Sequence, residues 1–112
     1  MSRVLIGGFG AIARLGLREV LADEGFEVVA EQGPPDELFE LVTSVRPDVV
    51  LLDLDTESSV EFAGRISIDY PAVKVIACSP EDSTMRVFPP FHHGESYVSE
   101  LDPVALANTM RS

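Results

Sequence analysis

The chain has 112 residues, 46% of them hydrophobic and 24% charged, with a formal net charge of −11 at pH 7. That length fits one compact domain over residues 1–112, and the acidity excludes nucleic-acid binding by this chain alone, which needs a basic patch. No apolar run approaches the roughly 20 residues needed to span a bilayer, so no membrane role is expected. Cys78, the single cysteine, excludes a disulfide framework and suits a reducing compartment. Met1-Ser2-Arg3-Val4-Leu5-Ile6 enters a short apolar strand at once and then two glycines, without a signal peptide's longer apolar stretch and cleavage site, so a cytoplasmic location is expected.

The first strand is expected over Arg3–Gly7. Ile12, Ala13, Leu17, Val20 and Leu21 then recur at helical spacing, and Gly25 stops that helix. A second strand follows over Glu27–Ala30. The stretch Pro35–Val45 repeats the helical pattern with Leu38, Leu41, Val42 and Val45, and ends before Pro47. Asp48–Leu54 is the third strand. Its Val49-Val50-Leu51-Leu52 run is apolar without alternation, as a strand covered on both faces must be. Ser58 and Glu61 have capping-box spacing ahead of a third helix reaching about Asp69. Lys74–Cys78 and Ser96–Ser99 supply the last two strands. A fourth helix between them is weakly supported, because Pro89-Pro90 must end or divert it. Asp102-Pro103 reads as the N-cap and first residue of a final helix carrying Val104, Leu106, Ala107 and Met110. Strict βα alternation predicts an α/β fold: a doubly wound, five-stranded parallel sheet of flavodoxin-like (βα)5 type, strand order 2-1-3-4-5.

In such a sheet ligand chemistry sits at the carboxyl ends of the strands, and there the sequence resembles a known family. Ala11–Arg18 is similar to the first helix, and Glu27–Glu31 to the second strand, of bacterial response-regulator receiver domains of the LuxR-type subgroup. Arg46-Pro47-Asp48-Val49-Val50-Leu51-Leu52-Asp53-Leu54 resembles their third strand with its phosphoacceptor aspartate, and Tyr70-Pro71-Ala72-Val73-Lys74-Val75-Ile76 their approach to the fourth. The resemblance covers nearly the whole chain. It implies a signalling module of two-component phosphorelays whose chemistry needs an acidic pair and the acceptor to hold Mg²⁺, a Ser or Thr, and a Lys.

Set against that pattern, the working parts are incomplete. Asp53 stands at the acceptor position and Ser79 where the family contacts the phosphoryl group. The acidic pair is replaced by Gly8 and Phe9, and the lysine by Ser99 or, shifting by one, Glu100. The loop from Leu54 to Ser59 lacks the family's usual Met-Pro-Gly turn. Mg²⁺ dehydrates reluctantly and needs several carboxylates or phosphates, so no cofactor is expected. Regulated phosphorylation of Asp53 is not expected either, since positioned charge is nearly all the catalysis in phosphoryl transfer.

Other features stand beside this one. Gly8-Phe9-Gly10-Ala11-Ile12-Ala13, with Glu31 after the second strand, has the form of a dinucleotide-binding loop. Small residues filling the space of the lost acidic pair are the preferred account of it, ahead of a true nucleotide site. His92-His93 has no ligand-like partner spacing for a metal. Phe88-Pro89-Pro90-Phe91 forms a stiff aromatic turn, and Phe88 and Phe91 with Tyr97 make either an interaction face or additional core. The leading expectation is an atypical pseudo-receiver that binds a protein partner or a second copy of itself. The alternatives are a receiver phosphorylated on Asp53 by a reduced mechanism, and a small-ligand or nucleotide binder at Gly8–Ala13. An enzyme with its own turnover is not expected, for the strand ends carry no nucleophile–base pair.

Overall fold

A computed structural model describes residues 3–8, 10–32, 38–53, 59–79 and 81–111. In chain order the elements are β1 (Arg3–Gly7), α1 (Ala11–Asp23), β2 (Glu27–Gln32), α2 (Leu38–Val45), β3 (Val49–Asp53), α3 (Ser59–Asp69), β4 (Lys74–Ser79), β5 (Thr84–Phe88), β6 (Tyr97–Glu100) and α4 (Pro103–Arg111). All ten lie in one layered α/β unit built on a single sheet.

The central strands behave as their composition demands. Val4, Leu5, Ile6, Val50 and Leu51 have no exposed surface, and successive side chains point to opposite faces. Val4, Ile6, Val49 and Leu51 pack with Leu21 of α1 and with Leu106, Ala107 and Met110 of α4. Leu5, Val50 and Leu52 pack with Val42 of α2 and with Ala63 and Ile66 of α3. The sheet is therefore covered on both faces, two helices to a side, and the doubly wound expectation holds.

Short polar anchors set the strand starts. The Asp48 N–H donates to the Arg3 carbonyl (2.8 Å), and the Lys74 N–H donates to the Asp48 carbonyl (3.1 Å). The Arg3 N–H in turn donates to Asp48 Oδ2 at 2.9 Å. One residue thus joins the entries of β1, β3 and β4. Helix ends follow the sequence signals: Gly25 takes φ +84° just past α1, where a glycine carries no Cβ penalty. The Ala105 N–H donates to Asp102 Oδ1 at 2.8 Å, making Asp102 the N-cap of α4. The start expected for α2 over residues 35–37 and the Ser58 cap expected for α3 lie outside the described residues.

The sheet order is β2-β1-β3-β4-β5-β6. The expected 2-1-3-4-5 order is kept, with one strand more than expected. The first four strands are parallel to one another; β4–β5 and β5–β6 are antiparallel. Two expectations are corrected: the sheet has six strands, and it is mixed. The helix expected after the fourth strand is absent from the described residues, and β5 stands in its place. The reason is local. Thr84-Met85-Arg86-Val87-Phe88 alternates, with Met85 and Val87 buried against the α1–α4 face and Thr84 and Arg86 only partly buried, and Pro89-Pro90 denies a helix its last turn. Because β5 runs back along β4, β6 regains the direction of the parallel strands, one place further out.

After β5 the chain turns against α3 through residues 89–95. The Phe91 N–H donates to the Pro71 carbonyl at 2.8 Å, and Phe91 and His93 take φ of +63° and +54°. A Cβ on Gly94 would come within 3.0 Å of Ile68, so the turn sits directly on the helix.

Candidate functional site

The carboxyl ends of β3 and β4 lie side by side, with Asp53 opposite Cys78 in the parallel register. Asp53 is half-buried. Cys78 is 1% exposed, and its thiol is pushed up to about 12, by burial first and then by the negative charge of Asp53. Ser79 ends β4 and is also buried; its Oγ donates to Asp82 Oδ2 at 3.2 Å. The acceptor-like aspartate and the phosphoryl-contact-like serine therefore come together at neighbouring strand ends. The serine's proton, however, is turned to the tight connection between β4 and β5. Asp82 carries no sequence signal for this role, because its segment resembles the start of a helix.

The lysine position is where the extra strand matters. The registers place Asp53 opposite Cys78, Cys78 opposite Met85, and Met85 opposite Ser99. Ser99 is thus three inter-strand steps from Asp53, about 14 Å at ~4.8 Å per step, rather than the ~10 Å of a sheet in which this strand borders the fourth. Ser99 is half-buried on the Met85 side; Glu100 is exposed and pairs with Thr84. Lys74 is the only lysine of the sequence. It sits at the opposite end of β4, where its Nζ donates to the Thr109 carbonyl at 2.6 Å. There it caps the last turn of α4, a favourable place for a cation, and burial lowers its pKa.

At the acidic-pair position Gly8 is half-buried with φ +81°. An aspartate there would have to adopt the left-handed region, which L side chains visit only under strain. Phe9 and the loop 54–58 lie outside the described residues. Gly10 is the N-cap residue of α1 and makes no side-chain cap bond. Ala13 is exposed and lines an open, mainly apolar cleft of about 340 Å³ between α1 and the start of α4. Glu31 lies in β2, with its side chain outside the described set. These loop residues are brought to one end of the sheet. The strand order beginning 2-1-3-4 nevertheless differs from the 3-2-1-4 order of dinucleotide folds.

Of the three aromatic residues considered for an interaction face, Phe88 is corrected: at 3% exposure it packs with Val75, Ala77 and Ile66 in the core. Phe91 (69% exposed) and Tyr97 (49%) remain at the surface. His92 Nδ1 lies 2.8 Å from the Pro90 carbonyl within the same turn. No described helix is long and apolar enough to cross a membrane.

No protein-family model matches the chain. Comparison with curated proteins nevertheless finds clear relatives. The transcriptional regulatory protein PdtaR of Mycobacterium tuberculosis is 42% identical over 88 residues, covering 75% of this chain and 43% of PdtaR. The transcriptional regulatory protein DegU of Brevibacillus brevis is 33% identical, covering 88% of this chain and 44% of DegU. The chemotaxis protein CheY of Listeria monocytogenes is 32% identical, covering 70% of this chain and 68% of CheY. The match spans less than half the length of PdtaR and DegU, and about two thirds of CheY. Among solved structures, the signal receiver domain of the response regulator NarL from Mycobacterium tuberculosis superposes with a TM-score of 0.58 at 26% identity, over 66% of this chain and 62% of that one. With its sheet order, its Arg46-Pro47-Asp48 anchor and Asp53 at the end of β3, the chain belongs to the response-regulator receiver family, the signalling modules of two-component systems.

Proposed function

We propose that this receiver works as a protein-docking module in signal transduction, without Mg²⁺-dependent phosphorylation of Asp53. The observation that carries the reading is the extra strand β5, which moves the lysine position one strand further from Asp53. The charge pattern supports it. Ser99 and Glu100 occupy that position, and the only lysine is engaged at the far end of β4. The residues also do not fit Mg²⁺. Among the described residues no three His, Cys, Asp or Glu side chains come together, and Gly8 stands where a carboxylate is needed. A site this poor in carboxylates among the described residues compensates weakly for the ion's dehydration. As a module that docks rather than turns over substrate, the chain would act by presenting surface.

The test is incubation of the full chain with Mg²⁺ and a small phosphodonor such as acetyl phosphate, followed by intact-mass spectrometry. The reading predicts an unchanged mass. An increment of one phosphoryl group that disappears in Asp53→Asn would overturn it and restore the phosphorylated-receiver alternative.

A further inference from the structure

The helices α1 and α4 lie on the same face of the sheet and are tied together at one end only. There Arg111, the last residue of α4, donates from Nη2 to the Glu24 carbonyl at 3.1 Å and pairs with the Glu24 carboxylate. Its guanidinium also lies 5.6 Å from the centre of the Phe26 ring. At the other end, beside the carboxyl ends of the strands, the two helices leave the cleft of about 340 Å³. Its walls are Gly16, Leu17 and Val20 of α1 facing Leu101 and Leu106, and Cys78 closes the inner end. Gly16 is what keeps it open. It stands in the interior of α1, where glycine is the least favourable residue after proline. A Cβ at Gly16 would meet no neighbour within 4 Å, so close packing does not require the glycine. A residue that costs helix stability and is not needed by the core marks a place shaped for something else.

We infer that the α1–α4 cleft is a binding site for a small apolar amine, its hydrocarbon body between Gly16 and Leu106 and its ammonium group at Asp102. The site goes beyond the docking reading above and does not depend on it. Size and lining select a small molecule: the volume is at the lower end of the roughly 300–1,000 Å³ of ligand pockets, and the walls are mainly apolar with one polar group to orient the occupant. Charge selects the cation. Among the described residues Asp102 is the one charged group lining the cleft, and no basic side chain lines it. Asp102 Oδ1 accepts the Ala105 N–H at 2.8 Å, which fixes the carboxylate at the rim. The partial positive charge of the α4 N-terminus offsets only part of it. The exposed Glu100 lies two residues away, and the whole chain carries −11, so an anionic occupant is opposed at both short and long range. Of the Gly8–Ala13 loop only Ala13 lines this cleft; the site is therefore separate from a phosphate-binding loop. Because Cys78 stands opposite Asp53 in the register, an occupant reaches the strand end at which the family's chemistry lies.

The experiment titrates the ¹⁵N-labelled full chain at neutral pH with three probes that share one body and differ in charge: phenethylamine, 2-phenylethanol and 3-phenylpropanoate. The expected result is saturable binding of the amine in about the millimolar range, with amide shifts centred on Gly16, Leu17, Cys78, Leu101 and Leu106. The alcohol should bind more weakly and the carboxylate not at all. Asp102→Asn keeps a good N-cap and removes the charge; it should weaken the amine by about two- to five-fold and leave the alcohol unchanged. Gly16→Leu fills the cleft with a better helix former. It should fold with an unchanged far-UV circular dichroism spectrum and lose binding of both amine and alcohol. If that variant does not fold, Asp102→Asn decides. No saturable shift with any probe, shifts centred away from the cleft, or amine binding that a folded Gly16→Leu chain retains overturns the inference. Alcohol or carboxylate binding as tight as the amine, or an Asp102→Asn chain that binds the amine undiminished, overturns the choice of a cation.

Discussion

Asp48 and Asp53 lie five residues apart and do different work. Asp48 joins the starts of three strands through its backbone and its carboxylate, so the Arg-Pro-Asp segment that marks the family in the sequence is a folding device. Asp53 sits at the functional end, beside a thiol whose ionisation it opposes. That thiol gives a pH test. In the unfolded chain Cys78 ionises from its ordinary 9.0, whereas in the folded chain it holds its proton to about 12. Above pH 9 the unfolded state sheds a proton that the folded state keeps. The thiol's effect on stability is therefore nil below pH 9, and stability falls as pH rises from 9 toward 12. Urea midpoints measured across that window should decline less steeply in Cys78→Ala; equal slopes would show that the native thiol is not held neutral. At this scale the sequence put Asp53, Ser79 and Gly8 at or just past strand ends, and the parallel registers of β1, β3 and β4 bring those ends to one side of the sheet. The sequence could not reveal that Asp82 Oδ2 accepts a hydrogen bond from the Ser79 hydroxyl, because that contact depends on how the tight turn between β4 and β5 is formed.

At the scale of elements, β1, β3 and β4 were legible because short unbroken apolar runs, three residues in β1 and four each in β3 and β4, belong to strands covered on both faces. The α4 start was legible because Asp102-Pro103 combines a capping side chain with a residue suited to the first helical position. β5 was the miss, although its signal was present: Met85 and Val87 alternate with Thr84 and Arg86, a period of two rather than 3.6. The family resemblance outweighed that pattern and suggested a helix. The two alternatives differ in what Met85 does. On an amphipathic surface helix its truncation would cost little. In β5 it is fully buried between Cys78 and Ser99, and Met85→Ala should destabilise the chain by about 2–5 kcal/mol in chemical denaturation. A loss below about 1 kcal/mol would place the residue at the surface and contradict the strand.

On the scale of the whole molecule, the added strand changes the receiver in two places at once. It widens the sheet between Asp53 and the lysine position, and it carries an aromatic-bearing strand to the outermost place of the sheet among the described residues. The turn over residues 89–95 then covers α3 where a helix would otherwise pack, with Phe91 exposed on it. The fold class, the doubly wound layering and the strand order were legible because hydrophobic periodicity and proline placement act locally. The six-stranded, mixed character was not, since it depends on how one ambiguous segment pairs. The central claim is that this arrangement no longer supports an acyl-phosphate state. The most direct measurement is a titration of the ¹⁵N-labelled chain with Mg²⁺ and then beryllofluoride, read from amide chemical shifts. The account predicts no saturable shift at Gly8, Asp53, Cys78, Ser79 or Ser99. Saturable, Mg²⁺-dependent shifts at those amides, abolished by Asp53→Asn, would contradict it.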